Sequence, residues 1–214
     1  MKQYVTGDTR VIRRPATAAA TADAERYLRA ALAMFALFLA ALTALAGFTA
    51  NAHAQATRLD ATFERLRTTS DSVEAKRLEQ QILEVWNHSG SAKIDSMFAV
   101  GNKALEKGEL DNALTAFDAV VRYAPHFAEG WNKRANVEYL KGDYDAAARD
   151  VNRTLEIEHR HYGALFGLGM IFEAEHNDEL AMRMYEAALA INPNVEFARE
   201  KLRQLRDKCG IRLT

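Results

Sequence analysis

Three consecutive segments of 34 residues, 94–127, 128–161 and 162–195, repeat one pattern, and that spacing constrains the fold more than any other feature of the chain. Small residues coincide in two columns: Gly101, Ala135 and Gly169 at the eighth position, and Ala113, Ala147 and Ala181 at the twentieth. Helices that cross closely need small side chains at the crossing, because a larger group holds the backbones apart. Bulky residues fill other columns: Met97, Trp131 and Leu165 at position four, Phe117, Val151 and Tyr185 at twenty-four, Val121, Leu155 and Leu189 at twenty-eight. Tyr123, Ile157 and Ile191 at position thirty are expected to complete the buried stripe. Pro125 and Pro193 stand two periods apart and stop the first and third units, since proline cannot continue a helix interior. Each unit therefore reads as a helix hairpin, and hairpins in tandem stack into a solenoid.

The flanks are helical but outside the repeat. Leu59, Phe63 and Leu66 fall at helical spacing, as do Ala75, Leu78, Ile82, Val85 and Trp86, with Asp71 and Glu74 placed to cap the second helix. Extending the repeat back one unit would put Arg67 and Glu79 in the two small-residue columns, so residues 55–93 read as a separate hairpin and joint. Terminal units of a solenoid need capping, and this hairpin is expected to cover the open face of the first unit. Residues 196–214 read as a capping helix and tail, with Phe197, Ala198, Leu202 and Leu205 on its packed face and a solvated charged face opposite.

Residues 1–54 read as a leader. No residue from Ala30 to Ala50 is charged, Arg26 and Arg29 precede that run, and Ala52-His53-Ala54 follows with the small-x-small pattern of a signal-peptidase site. Cleavage after Ala54 gives a free exported protein; retention of the 21 uncharged residues gives an anchor facing the same side. Arg10, Arg13 and Arg14 hold the N-terminus on the cytoplasmic side in either case, which in a bacterium places the repeats in the periplasm. The leader carries six basic and three acidic residues and the remainder 22 and 26, so a net of +3 is followed by a net of −4. That mild acidity argues against nucleic acid as partner. Cys209, the one cysteine, has no internal partner for a disulfide.

The columns resemble the tetratricopeptide repeat (TPR) family, which has a bulky residue early, Gly or Ala at eight, Ala at twenty and Pro at thirty-two. The middle unit carries the fullest match, WNKRANVEYLKGDYDAAARDVNRTLEIEH. Val120 and Thr154 depart from the small residue kept as Ala188, His159 replaces the proline, and Glu175-His176-Asn177-Asp178 replaces a glycine-containing turn. The resemblance implies an all-α, right-handed solenoid of three TPR hairpins between the N-terminal hairpin and the C-terminal cap. It also implies partner binding on the concave face, where positions two, five, six, nine, twelve and thirteen of each unit point. Carried onto this chain, those positions offer Phe98 and Asn102, then Asn132, Lys133, Asn136 and Tyr139, then Phe166 and Met170. Asn102 and Asn136 lie one period apart, and an amide both donates to and accepts from a peptide backbone. The family's carboxylate clamp for chaperone tails is poorly matched, because Phe98 and Gly167 stand where cations are needed and only Lys133 is near.

Little points to catalysis. His159 and His161 form a His-x-His pair but read as surface histidines of an inter-repeat turn, with no second ligand pair. No Gly-rich phosphate loop follows a strand, and no strand pattern is present. Arg134 and Glu138, four residues apart, read as an ion pair in the packed layer. No cofactor or metal is expected, and no activity. The sequence reads as an exported, non-catalytic adaptor or assembly factor of the bacterial cell envelope, binding a protein segment in its groove. Two alternatives are a membrane-tethered structural subunit of an envelope complex and an accessory subunit of an envelope enzyme.

Overall fold

A computed structural model of the chain describes residues 34, 36–43 and 56–210. The chain divides into two compact units, 1–56 and 57–214. In the first, residues 34 and 36–43 are helical with exposed side chains; the remainder of the 30–50 run and the site after Ala54 lie outside the described residues. Among the described residues no helix is long and apolar enough to cross a membrane.

The described residues of the second unit form helices joined by short turns. A helix α1 (56–68) and α2 (Ser72–Trp86) form the hairpin before the repeats. The repeats follow as α3 (Ala92–Glu106) with α4 (Leu110–Tyr123), α5 (Ala128–Lys141) with α6 (Tyr144–Ile157), and α7 (Tyr162–Ala174) with α8 (Asp178–Ile191), and α9 (Glu196–Lys208) ends the stack. Local chemistry sets the ends. The Asp143, His161 and Asn177 side chains accept the N–H groups of Ala146, Ala164 and Leu180, satisfying donors that the first turn leaves free. The turns within the first two repeats use Gly108 and Gly142 at φ 71° and 82°, and His176 takes φ 61° at the same place in the third. The turn without glycine is thus the same left-handed turn, held at some backbone cost.

The two small-residue columns meet the bulky column in a compensated way. A Cβ added to Gly101 would lie 2.6 Å from the Phe117 ring, and one added to Gly169 would lie 2.4 Å from the Tyr185 ring. In the middle unit the same crossing is made by Ala135 against the smaller Val151, both of them and Ala147 of the adjoining small column being buried. Glycine stands where the facing residue is aromatic and alanine where it is valine, so the crossing distance is kept while the side chains change.

Three expectations are corrected. Tyr123 is 61% exposed: it is the last residue of α4, past the packed turns, with the Lys93 ammonium over its ring. Ile157 and Ile191 in the same column are half-buried. Phe197 is 78% exposed, because Ala198, Leu202 and Leu205 form the packed stripe and Phe197 lies one residue outside it.

The third correction concerns the N-terminal hairpin, which packs on the third repeat and not on the first. Phe63, Leu66, Leu78, Ile82 and Trp86 form one core with Tyr162 and Ala188, bordered by Leu165, Phe166, Ile191 and Val195. Polar contacts fix the placement. Arg160 donates to Asp60 at 2.6 Å and lies over the Phe63 ring, and Asn192 donates to Glu79 at 2.7 Å. Glu79, which breaks the repeat register, is thus an anchor to the third unit. The outer face of the first repeat stays open as an apolar cleft of about 650 Å³ between Met97, Val100, Ala104, Ala116 and Ala119.

Candidate partner-binding groove

The first helices of the repeats, α3, α5 and α7, pack side by side and share one face. Two adjoining clefts open on it. One, of about 540 Å³, is lined by Asp95, Asn102, Leu105 and Glu106 of α3, Lys133 of α5, and His88 from the joint after α2. The other, of about 390 Å³, continues from Leu105 past Asn136 and Tyr139 of α5 to Gly167, Met170 and Ile171 of α7.

The residues expected to face a partner divide accordingly. Asn102 and Lys133 line the first cleft, and Asn136, Tyr139 and Met170 the second. Phe98 offers the first cleft only an edge, because its ring packs against Phe117 and Phe127 and is 4% exposed. Asn132 is buried and its amide donates to Glu129 at 3.1 Å. Phe166 is packed between the Tyr185 ring and the N-terminal hairpin. Neither Asn132 nor Phe166 is presented in this state.

Beneath the groove lies a buried polar group that the sequence reading missed. Glu129 accepts from Asn132 and faces the Nε2 of His161 at 2.8 Å, with the Lys133 ammonium 3.4 Å away. The His161 Nδ1 accepts the Ala164 N–H, which leaves Nε2 to carry the ring proton and donate it to Glu129. Burial pushes the Glu129 carboxyl up, and the bond from His161 together with the Lys133 charge and the Asn132 bond more than reverses this, holding it below the ordinary range. One face of the His161 ring stacks on Trp86 of the hairpin, with ring centroids 4.1 Å apart. His161 is therefore a buried helix cap and interface residue, not a surface histidine; His159 is exposed. The one sequence signal was its place directly before α7, where capping residues stand; its Glu129 partner is 32 residues away.

Arg134 is also more connected than its spacing indicated. It makes two bonds to Asp150 of α6, at 2.5 and 2.7 Å, and one to Asp118 of α4 at 2.8 Å, whereas Glu138 stands off at 3.8 Å. Arg134 thus ties three helices together, and Glu138 sits in the same layer with a buried oxygen that has no partner among the described residues. Burial, reinforced by the Asp150 charge, pushes the Glu138 carboxyl up to about 7. The folded state then keeps a proton that the unfolded chain has lost, so stability falls as pH rises from the ordinary carboxyl range through about 7. Glu138→Gln removes that ionisation, and its melting temperature is expected to exceed the parent's at pH 8 and to differ little at pH 4.5. An equal shift at both pH values would assign the effect to packing.

Among the described residues no group of three or more His, Cys, Asp or Glu side chains is placed to hold a metal ion. What the face presents is amides, a phenol, apolar side chains and a few charges.

Comparisons with known proteins agree with this architecture. A family model described as Tetratricopeptide repeat matches residues 98–159 and 142–196. A TPR repeat-containing protein of Rhizobium etli is 34% identical over 151 residues, covering 71% of this chain and 74% of that protein. Among solved structures, the first TPR of Spaghetti (RPAP3) bound to the HSP90 peptide SRMEEVD superposes with a TM-score of 0.54. It is 22% identical and covers 56% of this chain and 95% of that one. MamA superposes with a TM-score of 0.52 at 18% identity, covering 70% of this chain and 85% of that one.

Proposed function

The chain belongs to the tetratricopeptide repeat family, and from that premise we propose that it is a non-catalytic adaptor capturing a segment of a partner protein across α3, α5 and α7. The observation that carries this reading is the pair of adjoining clefts, which stay open although the hairpin covers the start of α7. Asn102, Lys133, Asn136, Tyr139 and Met170 are the contact residues, with amides for the partner backbone and an apolar pocket for a side chain. The clefts are open troughs without the enclosed, water-excluding pocket of an enzyme site.

The compartment belongs to the same proposal. The uncharged run and the Ala-x-Ala site after it support export, and so a partner in the bacterial cell envelope. Of the two alternatives, a tethered structural subunit keeps residues 30–50 and sediments with membranes, and an accessory subunit has no activity alone and changes the rate of an envelope enzyme to which it is added.

A photocrosslinking residue at position 136, on the groove, is compared in living cells with one at position 152, exposed on α6. The expected result is a discrete partner adduct from 136 and none from 152.

A further inference from the structure

We propose that the segment this groove takes is extended, about six residues long, basic at its α3 end and apolar at its α7 end, a specificity that rests on the groove reading above. Neighbouring helices pack about 10 Å apart, so the path from α3 across α5 to α7 is about 20 Å. An extended chain covers about 3.3 Å per residue, which sets the length.

The charge follows from what lines the first cleft. Asp95 and Glu106 both face it, and Asp95 is kept anionic by the Ser89 hydroxyl and N–H that donate to it. The one permanent cation on its wall, Lys133, is already matched by the Glu129 carboxylate 3.4 Å away. The balance presented to a ligand is therefore negative. A Lys or Arg side chain is drawn there, and an acidic segment or a terminal carboxylate is repelled.

The second cleft asks for something different. Its walls are Leu105, Tyr139, Met170 and Ile171, and Gly167 leaves the floor clear, with nothing within 4 Å of where a Cβ would stand. That space takes one aliphatic or aromatic side chain. The side chains of Asn102 and Asn136, one repeat apart, make no hydrogen bond within the described residues and are left to hold the ligand backbone between the two pockets.

The test is selection of displayed random seven-residue segments on the full chain, run in parallel on Gly167→Leu and Glu106→Lys. Gly167→Leu puts its side chain into the second cleft from a Cβ that has nothing within 4 Å, and circular dichroism checks that the helices are kept. Lys and Arg are expected to be enriched over Asp and Glu by roughly fivefold, the order of one partly exposed charge pair, beside a conserved apolar position. Gly167→Leu should abolish the enrichment, and Glu106→Lys should remove its basic preference. Enrichment of acidic segments that is lost in Gly167→Leu would overturn the charge assignment and leave the groove standing. Segments that bind Gly167→Leu equally well, or no enrichment on any of the three chains, would overturn both.

Discussion

Gly169→Val is expected to lower the melting temperature by roughly 6–12 °C. The new Cβ alone would stand 2.4 Å from the Tyr185 ring. That ring cannot move aside: Tyr185 is fully buried and its hydroxyl donates to Glu173 at 2.9 Å. Overpacking of this kind costs about 3 kcal/mol, and in a body of this size each kcal/mol lowers the midpoint by about 2–4 °C. Gly167→Val, two residues earlier on the same helix, adds a Cβ that meets nothing within 4 Å and serves as the control, with a change of no more than a degree or two expected. Adding Tyr185→Val to Gly169→Ala, which copies the Ala135 and Val151 arrangement of the middle unit, should recover part of the loss seen for Gly169→Ala alone. Equal melting temperatures for the two valine variants would contradict the assigned crossing.

Trp86→Ala should release the N-terminal hairpin while leaving the first two repeats intact. Trp86 is 7% exposed and stacks on His161, and it also packs against Phe63 and Tyr162. Deleting a buried aromatic of this kind costs about 3–5 kcal/mol. The hairpin has little else to hold it beyond its apolar core and two polar anchors, Asp60 to Arg160 and Glu79 to Asn192. Hydrogen exchange read by mass spectrometry should therefore rise by two orders of magnitude or more across residues 57–86, with α3 to α6 unchanged. Trp86→Phe should be milder, since it keeps the ring contact and removes an indole N–H that is buried without a partner. A uniform rise over all helices would mean that the hairpin and repeats fold as one cooperative body.

The solenoid was legible in the sequence because a repeat states its own geometry three times. Gly101, Ala135 and Gly169 mark the crossing whatever surrounds them, and a period of 34 leaves few architectures open. The hairpin position was not legible. Its apolar stripe says that Phe63, Leu78 and Trp86 are covered, but one amphipathic face suits the first repeat as well as the third. The choice is made by single polar pairs, Asp60 with Arg160 and Glu79 with Asn192, separated by 100 and 113 residues. The groove shows the same limit. Position within the repeat places Asn102, Lys133, Asn136, Tyr139 and Met170 on the clefts, yet treats Asn132 and Phe166 alike with them. Those two are withdrawn by Glu129 and by the hairpin, contacts outside any periodic pattern. His161 was missed for that reason as well, its role depending on Glu129 and Trp86.

Crosslinking from position 136 in the native compartment tests the central claim most directly, with position 152 as the comparison and Gly167→Leu as the blocked groove. The account predicts one discrete adduct from position 136, absent from 152 and lost when Gly167→Leu is introduced. An adduct from 152 alone, or one from 136 that survives the filled cleft, would contradict it.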